Sequence, residues 1–360
     1  MSVSQASGIH LGHSFHNILV IKLRYIGDVL LATPVFRSLK NAYPKAKLTV
    51  VVNQGAEDIL AHHADVDDIL VVKKDSLFAQ VRFLFEIRRR QFDCVLDLTD
   101  GDRSALLAWF SGAPVRLGFN DERRWRGVFY TQVAQLPAGG GHRVDHDLAV
   151  LQPLSIPSVG TMPTLTVSME DEQVADRILK EVGIAQQGNE SRLVMLQPAA
   201  RYWFKAWPED RFVELADRLA TEYGCHVLIG GGPQDVELAG RICRQTRVAC
   251  SVVAGRTTLL QYAALLKRCA LFIGNDSGAM HIAAAMGTPL VALFGPSNPS
   301  EWGPRCDQAE VIYKGLDCRA CFHPTCRRGE SNCMRLITVD EVYASAARMI
   351  RKKEYSSGCA

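Results

Sequence analysis

Short apolar runs alternate with amphipathic stretches along the whole chain, and this alternation is typical of an α/β protein. Residues 17–23 and 48–52 are mainly apolar runs of the kind that form buried strands, and residues 29–42 between them have helical apolar spacing. Residues 193–197 begin the same rhythm a second time. The chain is therefore predicted to contain two doubly wound, Rossmann-like α/β domains.

Breaks in this pattern divide the chain into five predicted segments. Proline-containing and polar stretches at 153–163 and 186–191 flank the junction between the two domains. The segments are a flexible leader (1–16), an N-terminal domain (17–165), a linker region (166–190), a C-terminal domain (191–337), and a terminal helix with a tail (338–360).

The clearest chemical signal lies at 271–304. An apolar run ends at Gly274 and helical spacing begins at Gly278, so the residues between them are predicted to form a tight strand-to-helix turn. Asp276 or Ser277 is a suitable helix N-cap, and Gly278 would let a ligand approach the backbone closely. Because the positive end of a helix dipole favours anions, this turn is predicted to bind a phosphate. The alternative is that these three residues only cap a helix.

Three further residues are expected near the same sheet edge. His281 lies one turn into the helix, where it either faces the ligand or is a buried core residue. Lys205 follows the predicted strand at 193–197, and Asp235 follows a Gly-rich turn after the next strand. Open α/β sheets bind ligands at the carboxyl ends of their strands, so a Lys205 ammonium there could neutralise a diphosphate.

Asp28 follows the first predicted strand and opens the first helix. One interpretation is that it caps this helix, a common role for an acidic residue in that position. The other is a general base, because a carboxylate favoured by a helix N-terminus stays ionised at neutral pH and can accept a proton from an attacking hydroxyl. The preceding turn lacks G-x-G-x-x-G, which disfavours an ordinary dinucleotide-binding domain.

Composition restricts the class of protein rather than its chemistry. The 360 residues are 48% hydrophobic and 22% charged, as in ordinary globular proteins, and the net charge of +3 is too small to argue for nucleic-acid binding. The first sixteen residues lack the apolar core of a signal peptide, and no apolar run approaches the ~18 residues of a membrane span. We therefore expect a cytoplasmic protein whose eleven cysteines are mostly reduced thiols.

Two clusters of arginines could serve an anionic partner. They are Arg88, Arg89 and Arg90, at the end of a predicted amphipathic helix over 81–92, and Arg123, Arg124 and Arg126 in a later loop. The first cluster is either a solvated charged face or a contact to a membrane surface or an anionic glycan. The second either grips an anionic acceptor, since arginine binds phosphate and carboxylate bidentately, or is a solvated loop.

Two sets of residues have metal-ligand spacings. His142 and His146 are four residues apart, but because a clear third ligand is missing we expect a polar wall instead. The second set has the spacing C-x2-C-x4-C-x6-C and consists of Cys318, Cys321, Cys326 and Cys333. These cysteines either hold a structural zinc ion or are free thiols, and their spacing does not decide between the two.

Three ordered motifs resemble those of the bacterial lipopolysaccharide heptosyltransferases. They are R-Y-I-G-D-V-L-L-A-T-P-V-F-R-S-L-K at 24–40, Q-P-A-A-R-Y-W-F-K-A-W-P at 197–208, and G-N-D-S-G-A-M-H-I-A-A-A-M-G-T-P at 274–289. The first two look most like heptosyltransferase III, and the resemblance extends over about residues 17–350. It implies a GT-B fold, in which two Rossmann-like domains face each other across a cleft.

The resemblance also implies roles for particular residues. ADP-heptose would bind the C-terminal domain and the lipopolysaccharide core acceptor the N-terminal domain, with transfer by an inverting single displacement. Asp28 matches the family's catalytic base and Lys205 its phosphate-binding lysine, and Asp235 falls near an acidic position beside the nucleotide or its ribose. The family's D-[ST]-G-x-x-H donor motif matches Asp276, Ser277, Gly278 and His281. This scheme requires no metal or other cofactor, and the enzyme would be cytoplasmic, with peripheral contact to the inner membrane surface.

The chain departs from the family pattern ahead of Lys205. Ala199 and Ala200 stand where a relative has hydroxyl residues, so a contact there must come from the backbone, and the donor sugar is less firmly implied than the reaction type. Two alternatives stay open. One is another GT-B transferase, or an epimerase, that uses a different nucleotide sugar; the other is a nucleotide-sugar-binding protein without catalysis.

Overall fold

The computed structural model describes residues 14–73, 76–136, 139–184, 193–318 and 325–357. These residues divide into two compact units, of which unit 1 ends at Thr164 and unit 2 begins at Leu165. Each unit contains a six-stranded sheet whose described strand pairs are all parallel. The predicted α/β class with two doubly wound sheets is thus confirmed.

The two sheets have the same topology. Their strands are β1 (Asn17–Lys22), β2 (Lys47–Asn53), β3 (Asp68–Val72), β4 (Cys94–Asp97), β5 (Val115–Phe119) and β6 (Gln132–Ala134) in unit 1, and β7 (Leu193–Gln197), β8 (His226–Ile229), β9 (Cys250–Val252), β10 (Leu271–Asn275), β11 (Leu290–Phe294) and β12 (Ala309–Tyr313) in unit 2. The orders are β3-β2-β1-β4-β5-β6 and β12-β11-β10-β7-β8-β9. Counted within each unit, both are 3-2-1-4-5-6. The order therefore reverses between β1 and β4 and between β7 and β10, where such sheets bind ligands.

Helices connect the strands. They are α1 (Ile26–Leu31), α2 (Thr33–Ala42), α3 (Leu77–Arg89), α4 (Asp102–Ser111) and α5 (Arg143–Leu148) in unit 1, and α6 (Met169–Glu181), α7 (Glu209–Tyr223), α8 (Val236–Gln245), α9 (Leu259–Arg268), α10 (Gly278–Ala285), α11 (Pro299–Trp302) and α12 (Val339–Ser357) in unit 2. The described helices include none that is long and apolar enough to cross a bilayer.

The central strands explain the continuous apolar runs of the sequence. Every residue of β4, β7, β10 and β11 is buried, because helices cover both faces of a doubly wound parallel sheet. In unit 1 the core includes Ile87 of α3 and Ala105 of α4 together with residues of β1 and β4. In unit 2 it includes Phe212 of α7 and Val342 of α12, packed with residues of β7 and β10. The core of each unit therefore fixes the strand ends at its point of reversal.

The helix predicted over 29–42 is two helices in the structure. Pro34 has no N–H group to donate to the carbonyl of Leu30, four residues earlier, and the hydroxyl of Thr33 donates to that carbonyl instead, at 2.8 Å. The chain therefore breaks at Ala32 between α1 and α2. Residues 165–167, whose apolar character is compatible with a short strand, belong to neither described sheet and lead instead into the capping box of Ser168 and Asp171 that starts α6.

The described parts of the predicted linker region and of the terminal helix belong structurally to unit 2. Helix α6 packs against α9, and its carboxylates Glu172 and Asp176 pair with Lys267 and Arg268 of α9. Helix α12 packs against α7 and against the strands β10, β11 and β12. Residues 1–13 of the predicted leader and residues 185–192 near the junction lie outside the described residues.

Candidate active site

The turn between β10 and α10 has the geometry expected of an anion site. Ser277 is the N-cap residue and has an extended backbone, with φ −153° and ψ 170°, and its side chain makes no capping hydrogen bond. Its buried hydroxyl oxygen has no hydrogen-bond partner among the described residues. Gly278 begins the helix, and the first N–H groups of any helix have no partner within the helix. The turn therefore offers one unpaired hydroxyl and the positive end of a helix dipole.

Lys205 lies at the same turn. It ends a short 3-10 helix, Trp203–Lys205, in the loop after β7, and its ammonium donates to the Asp276 carboxylate at 2.5 Å. The Lys205 side chain is 22% exposed, whereas that of Asp276 is only 7% exposed. The buried Asp276 carboxylate therefore binds the Lys205 ammonium on its inner side. Solvent, and so a ligand, can reach the same ammonium on its outer side. The structure brings together the predicted residues Lys205, Asp276, Ser277 and Gly278.

The loop that carries Lys205 is held by residues that the sequence reasoning missed. Asn275, fully buried at the end of β10, accepts from the backbone N–H of Trp207 at 3.1 Å and donates to the carbonyl of Pro198 at 2.8 Å. The buried indole of Trp207 donates to the carbonyl of Ile337 at 2.9 Å. The only sequence signal for this arrangement was an asparagine where an apolar strand ends. These bonds hold the backbone on both sides of Lys205, at Pro198 and at Trp207.

The roles predicted for His281 and Asp235, contacts to the donor, stay predictions. His281 is 6% exposed, one turn into α10, as expected of either a ligand-facing or a core histidine. Asp235 accepts the backbone N–H of Gly232 at 2.8 Å, and thereby shapes the turn after β8. Gly231 in this turn has φ +157°, and a Cβ atom there would lie 2.7 Å from the Cβ atom of Asp235. Ala199 and Ala200 follow β7 and are half-buried.

Asp28 lies in unit 1, in the first turn of α1 and just beyond the end of β1. The N-cap residue of α1 is Tyr25, and no side chain makes a capping hydrogen bond there. Asp28 is half-buried, and its carboxylate accepts no hydrogen bond from a described residue. The capping interpretation therefore has no hydrogen bond to support it, and the carboxylate is available for another role.

A buried ion pair lies at the end of the same strand. Lys22, the last residue of β1, is fully buried, and its ammonium contacts the Asp147 carboxylate of α5 at 2.5 Å and the carbonyl of Leu98 at 3.1 Å. Arg143 reaches the other oxygen of Asp147 at 3.0 Å. Burial lowers the pKa of Lys22. Burial alone would raise the pKa of Asp147, but Lys22 and Arg143 outweigh it and lower this pKa to about 2.

A group with metal-ligand geometry lies nearby on unit 1. Potential ligand atoms of Asp100, Asp121 and His146 all lie within 4.8 Å of one another. Arg126 already pairs with Asp100 at 2.6 Å, and a guanidinium in that position opposes a second cation. We therefore assign no metal here. His142 caps α5 by accepting the backbone N–H of Val144 at 3.2 Å.

Only three of the four cysteines in the predicted set lie within the described residues. Cys318 is exposed, Cys326 is half-buried and Cys333 is buried, and none of the three forms a disulfide with a described residue. Cys321 lies outside the described residues, so the zinc interpretation stays a prediction.

Taken one unit at a time, the geometry supplies two chemical functions. Unit 2 presents Lys205, the unpaired Ser277 hydroxyl and the α10 N-terminus, which together suit a diphosphate. Unit 1 presents the Asp28 carboxylate, which suits proton abstraction from a hydroxyl. These are the two functions that transfer from an activated donor to an alcohol requires.

Comparisons with known proteins agree with this chemistry. Residues 81–331, more than half of the chain, match glycosyltransferase family 9 (heptosyltransferase). The chain is 31% identical over 297 residues to lipopolysaccharide heptosyltransferase 3 of Escherichia coli, and this match covers 78% of the chain and 84% of that protein.

Solved structures extend the likeness to the fold of most of the chain. A glycosyl transferase of family 9 from Veillonella parvula superposes with a TM-score of 0.82 at 26% identity, and the match covers 94% of this chain and 97% of that one. The ADP-heptose lipopolysaccharide heptosyltransferase II of E. coli superposes with a TM-score of 0.75, also at 26% identity, over 94% of this chain and 99% of that one. The chain therefore belongs to glycosyltransferase family 9, the heptosyltransferase family, and is a glycosyltransferase with the GT-B fold.

Proposed function

We propose that the protein transfers a heptose from ADP-L-glycero-D-manno-heptose to the inner core of lipopolysaccharide, by an inverting single displacement. Family membership supports the reaction class, and the relatives named above support the donor and the acceptor. The observation that carries the proposal is the Lys205–Asp276 pair at the N-terminus of α10, beside the unpaired hydroxyl of Ser277.

The donor side of the proposal follows from charge. The diphosphate of ADP-heptose would contact the Lys205 ammonium and the first N–H groups of α10. The Ser277 hydroxyl would donate a hydrogen bond to a phosphate oxygen. His281 and Asp235 are proposed to contact the rest of the donor. Because ADP gains negative charge as it leaves, contacts to its phosphates stabilise the transition state more than the ground state.

The acceptor side rests on Asp28. As the acceptor oxygen forms its bond to the anomeric carbon of the heptose, the bond from that carbon to the diphosphate oxygen breaks, and its electron pair leaves on ADP. The proton of the acceptor hydroxyl passes to the Asp28 carboxylate. Attack opposite the leaving group inverts the configuration at the anomeric carbon. Charge neutralisation by Lys205 and α10 requires no metal in this scheme, so we expect transfer to persist in the presence of a chelator.

The place of the reaction follows from the acceptor. Lipopolysaccharide core is attached to a lipid, so the enzyme is proposed to be cytoplasmic and to act at the inner face of the cytoplasmic membrane as a peripheral protein. We propose no nucleic-acid partner, because the net charge of +3 is small.

A transfer assay tests this function directly. The purified enzyme would be incubated with ADP-heptose and with a series of truncated core acceptors, each lacking one more heptose than the last. Mass spectrometry would measure the masses of the products. We expect one acceptor to gain one heptose. Thermal stabilisation by a panel of nucleotide sugars, read in parallel, separates the alternatives, since a ligand that binds the folded state raises its melting temperature. Greater stabilisation by UDP-sugars than by ADP or ADP-heptose would contradict the proposed donor.

A further inference from the structure

Three neighbouring elements of unit 1 expose large apolar side chains. On α3, Phe78 is 79% exposed, and Val81 and Phe85 follow on the same face at helical spacing. Trp109 of α4 is also exposed. In the short 3-10 helix Trp125–Phe129, Trp125 and Val128 are exposed, Val128 by 76%. We call these six side chains the aromatic surface.

Ring contacts make this surface continuous. Phe85 of α3 lies 6.1 Å from Phe110 of α4, centroid to centroid. Trp109, the neighbour of Phe110, lies 5.6 Å from Phe129, which in turn lies 5.4 Å from Trp125. The rings thus form one row across three elements rather than isolated exposed residues. Contiguous exposed apolar surface of this kind marks a site of interaction with a partner or a membrane.

The charge on these elements is positive. Arg82 and Arg89 of α3, Arg103 of α4 and Arg123 before the 3-10 helix are all exposed, and none forms an ion pair with a described residue. Of the carboxylates on these elements, Glu86 binds Arg90, Glu122 binds Arg124, and Asp102 lies 3.7 Å from Arg126. Asp121 is exposed and forms no ion pair with a described residue. The four unpaired arginines therefore outnumber the unpaired carboxylates of these elements.

We propose that the aromatic surface and these four arginines dock the enzyme on an anionic phospholipid bilayer. Aromatic side chains prefer the interface between headgroups and acyl chains, and arginines nearby are attracted to anionic headgroups. A second copy of this chain is less compatible with this surface, because a symmetric contact would bring the unpaired arginines of both copies together and like charges repel. Aromatic residues and arginine are also enriched in interfaces with other proteins, so the test below includes sedimentation without vesicles. The inference rests on the proposed function only in that a lipid-attached acceptor must be reached at a membrane.

Vesicle flotation of the full-length protein tests the proposal, with no nucleotide or acceptor present. The probes are neutral phosphatidylcholine vesicles and vesicles that also contain phosphatidylglycerol. The first variant is Phe78→Ser with Val128→Ser, which removes two highly exposed apolar side chains. The second is Arg82→Gln with Arg89→Gln. Matched controls lie on α6 of unit 2, where Met169 is 80% exposed and Arg177 is exposed: they are Met169→Ser and Arg177→Gln.

The expected results are specific to lipid and residue. The parent binds anionic vesicles more tightly than neutral ones, and less tightly as salt is added. Loss of two arginines weakens binding to anionic vesicles about 25-fold, since each cation near such a surface contributes about fivefold. Loss of the two apolar side chains weakens it at least about tenfold. Both controls bind like the parent, and melting temperatures verify that all variants fold.

Two kinds of result would overturn the proposal. The first is a failure of the vesicle test: the parent floats with neither vesicle type, or the surface variants float as well as the parent. The other is a dimer, seen by sedimentation without vesicles, that the same substitutions dissociate while vesicle binding stays absent; the surface would then join two copies. Neither result bears on heptose transfer to a soluble core oligosaccharide, so failure of this inference and failure of the proposed function are distinguishable.

Discussion

The two units share one strand order, yet their candidate site edges have opposite charge arrangements. In unit 2, Lys205 follows the first strand and lies on Asp276, beside the start of α10, where it remains 22% exposed. In unit 1, the lysine at the equivalent strand end, Lys22, is withdrawn into the core and pairs with Asp147. Unit 1 instead leaves the Asp28 carboxylate without a hydrogen bond from a described residue.

This difference shows how one topology can serve two chemical demands. A parallel strand followed by a helix always delivers loop residues to the same edge, but it does not fix the sign of the charge there. An accessible cation supported by a carboxylate suits a bound diphosphate. A carboxylate whose neighbouring cation is already paired stays free to accept a proton. The proposed donor and acceptor roles of the units follow from where each places its lysine.

Removal of the charge of Asp28 should have the largest effect. Asn keeps the shape of Asp28 but cannot accept the proton, so Asp28→Asn is expected to lower the transfer rate by roughly 10²–10⁴-fold. ADP affinity and melting temperature should change little, because the carboxylate makes no capping hydrogen bond. Steady-state kinetics and calorimetry measure both quantities.

A matched control for this variant is Asp58→Asn, in the same unit. Asp58 is an exposed acidic residue in the first turn of the 3-10 helix Glu57–Leu60, and its amide variant should transfer at the parent rate. An Asp28→Asn enzyme that also transfers at close to the parent rate would end the assignment of Asp28 as the base.

Breaking the buried pair should destabilise the protein strongly. Lys22→Met leaves Asp147 buried with Arg143 as its remaining cation, and such a change costs about 3–5 kcal/mol of the free energy of unfolding. The double variant Lys22→Met with Asp147→Leu should recover part of this loss, because it removes the fully buried carboxylate and leaves only Arg143, whose side chain is 13% exposed, without its partner. Urea denaturation measures both.

The surface pair of Lys40 and Asp67 provides the control for burial. Its side chains are 17% and 39% exposed, so Lys40→Met should cost no more than about 1 kcal/mol. Equal losses of stability for Lys22→Met and Lys40→Met would show that burial does not make the Lys22–Asp147 pair more costly to break.

The sequence predicted the features that depend on local pattern. The β10–α10 turn was found because Gly274 ends an apolar run and Gly278 begins helical spacing. By contrast, nothing near Lys22 indicates burial, because its partner Asp147 lies 125 residues further along the chain. Asn275 likewise binds a loop about seventy residues earlier. Contacts between distant residues leave no periodic signal, so the supports of the site were missed although its proposed residues were named.

Short edge strands were also missed. β6 has only three residues and so produces no apolar run, whereas β3 contains the apolar run 69–72, which was overlooked. The break between α1 and α2 was overlooked because the apolar spacing continues across it, although Pro34 indicates the start of a new helix. Hydrophobic periodicity therefore predicts buried central elements better than edges and boundaries.

Removal of the exposed lysine of unit 2 should affect the ligand more than the fold. Lys205→Ala is expected to weaken ADP binding about ten- to a hundredfold, because a charge-assisted contact to a diphosphate contributes roughly 1.5–3 kcal/mol. Adenosine, which has no phosphate, should bind as it does to the parent, and Lys267→Ala, an exposed lysine of the same unit, should leave ADP binding unchanged. Unchanged ADP affinity in calorimetry would contradict a role of Lys205 in phosphate binding and would leave it only its ion pair with Asp276.

The smallest expected effect is a pH dependence that belongs to unit 1. In the folded protein the pKa of Asp147 is lowered to about 2, whereas an unfolded aspartate titrates near ~3.9. Between these values the unfolded chain takes up a proton that the folded protein does not, so acid favours unfolding. The contribution of Asp147 to stability is complete above about pH 4 and is lost as the pH falls toward 2, by about 2 kcal/mol.

Other carboxylates also titrate in this range, so the test is a difference between two proteins. The free energy of unfolding would be measured from pH 5 to pH 2 for the parent and for the double variant Lys22→Met with Asp147→Leu, which lacks the pair. The parent should lose about 2 kcal/mol more over this window. Parallel pH curves would mean that Asp147 does not depend on its buried cations, and the contrast between a withdrawn lysine in unit 1 and an accessible one in unit 2 would lose its energetic basis.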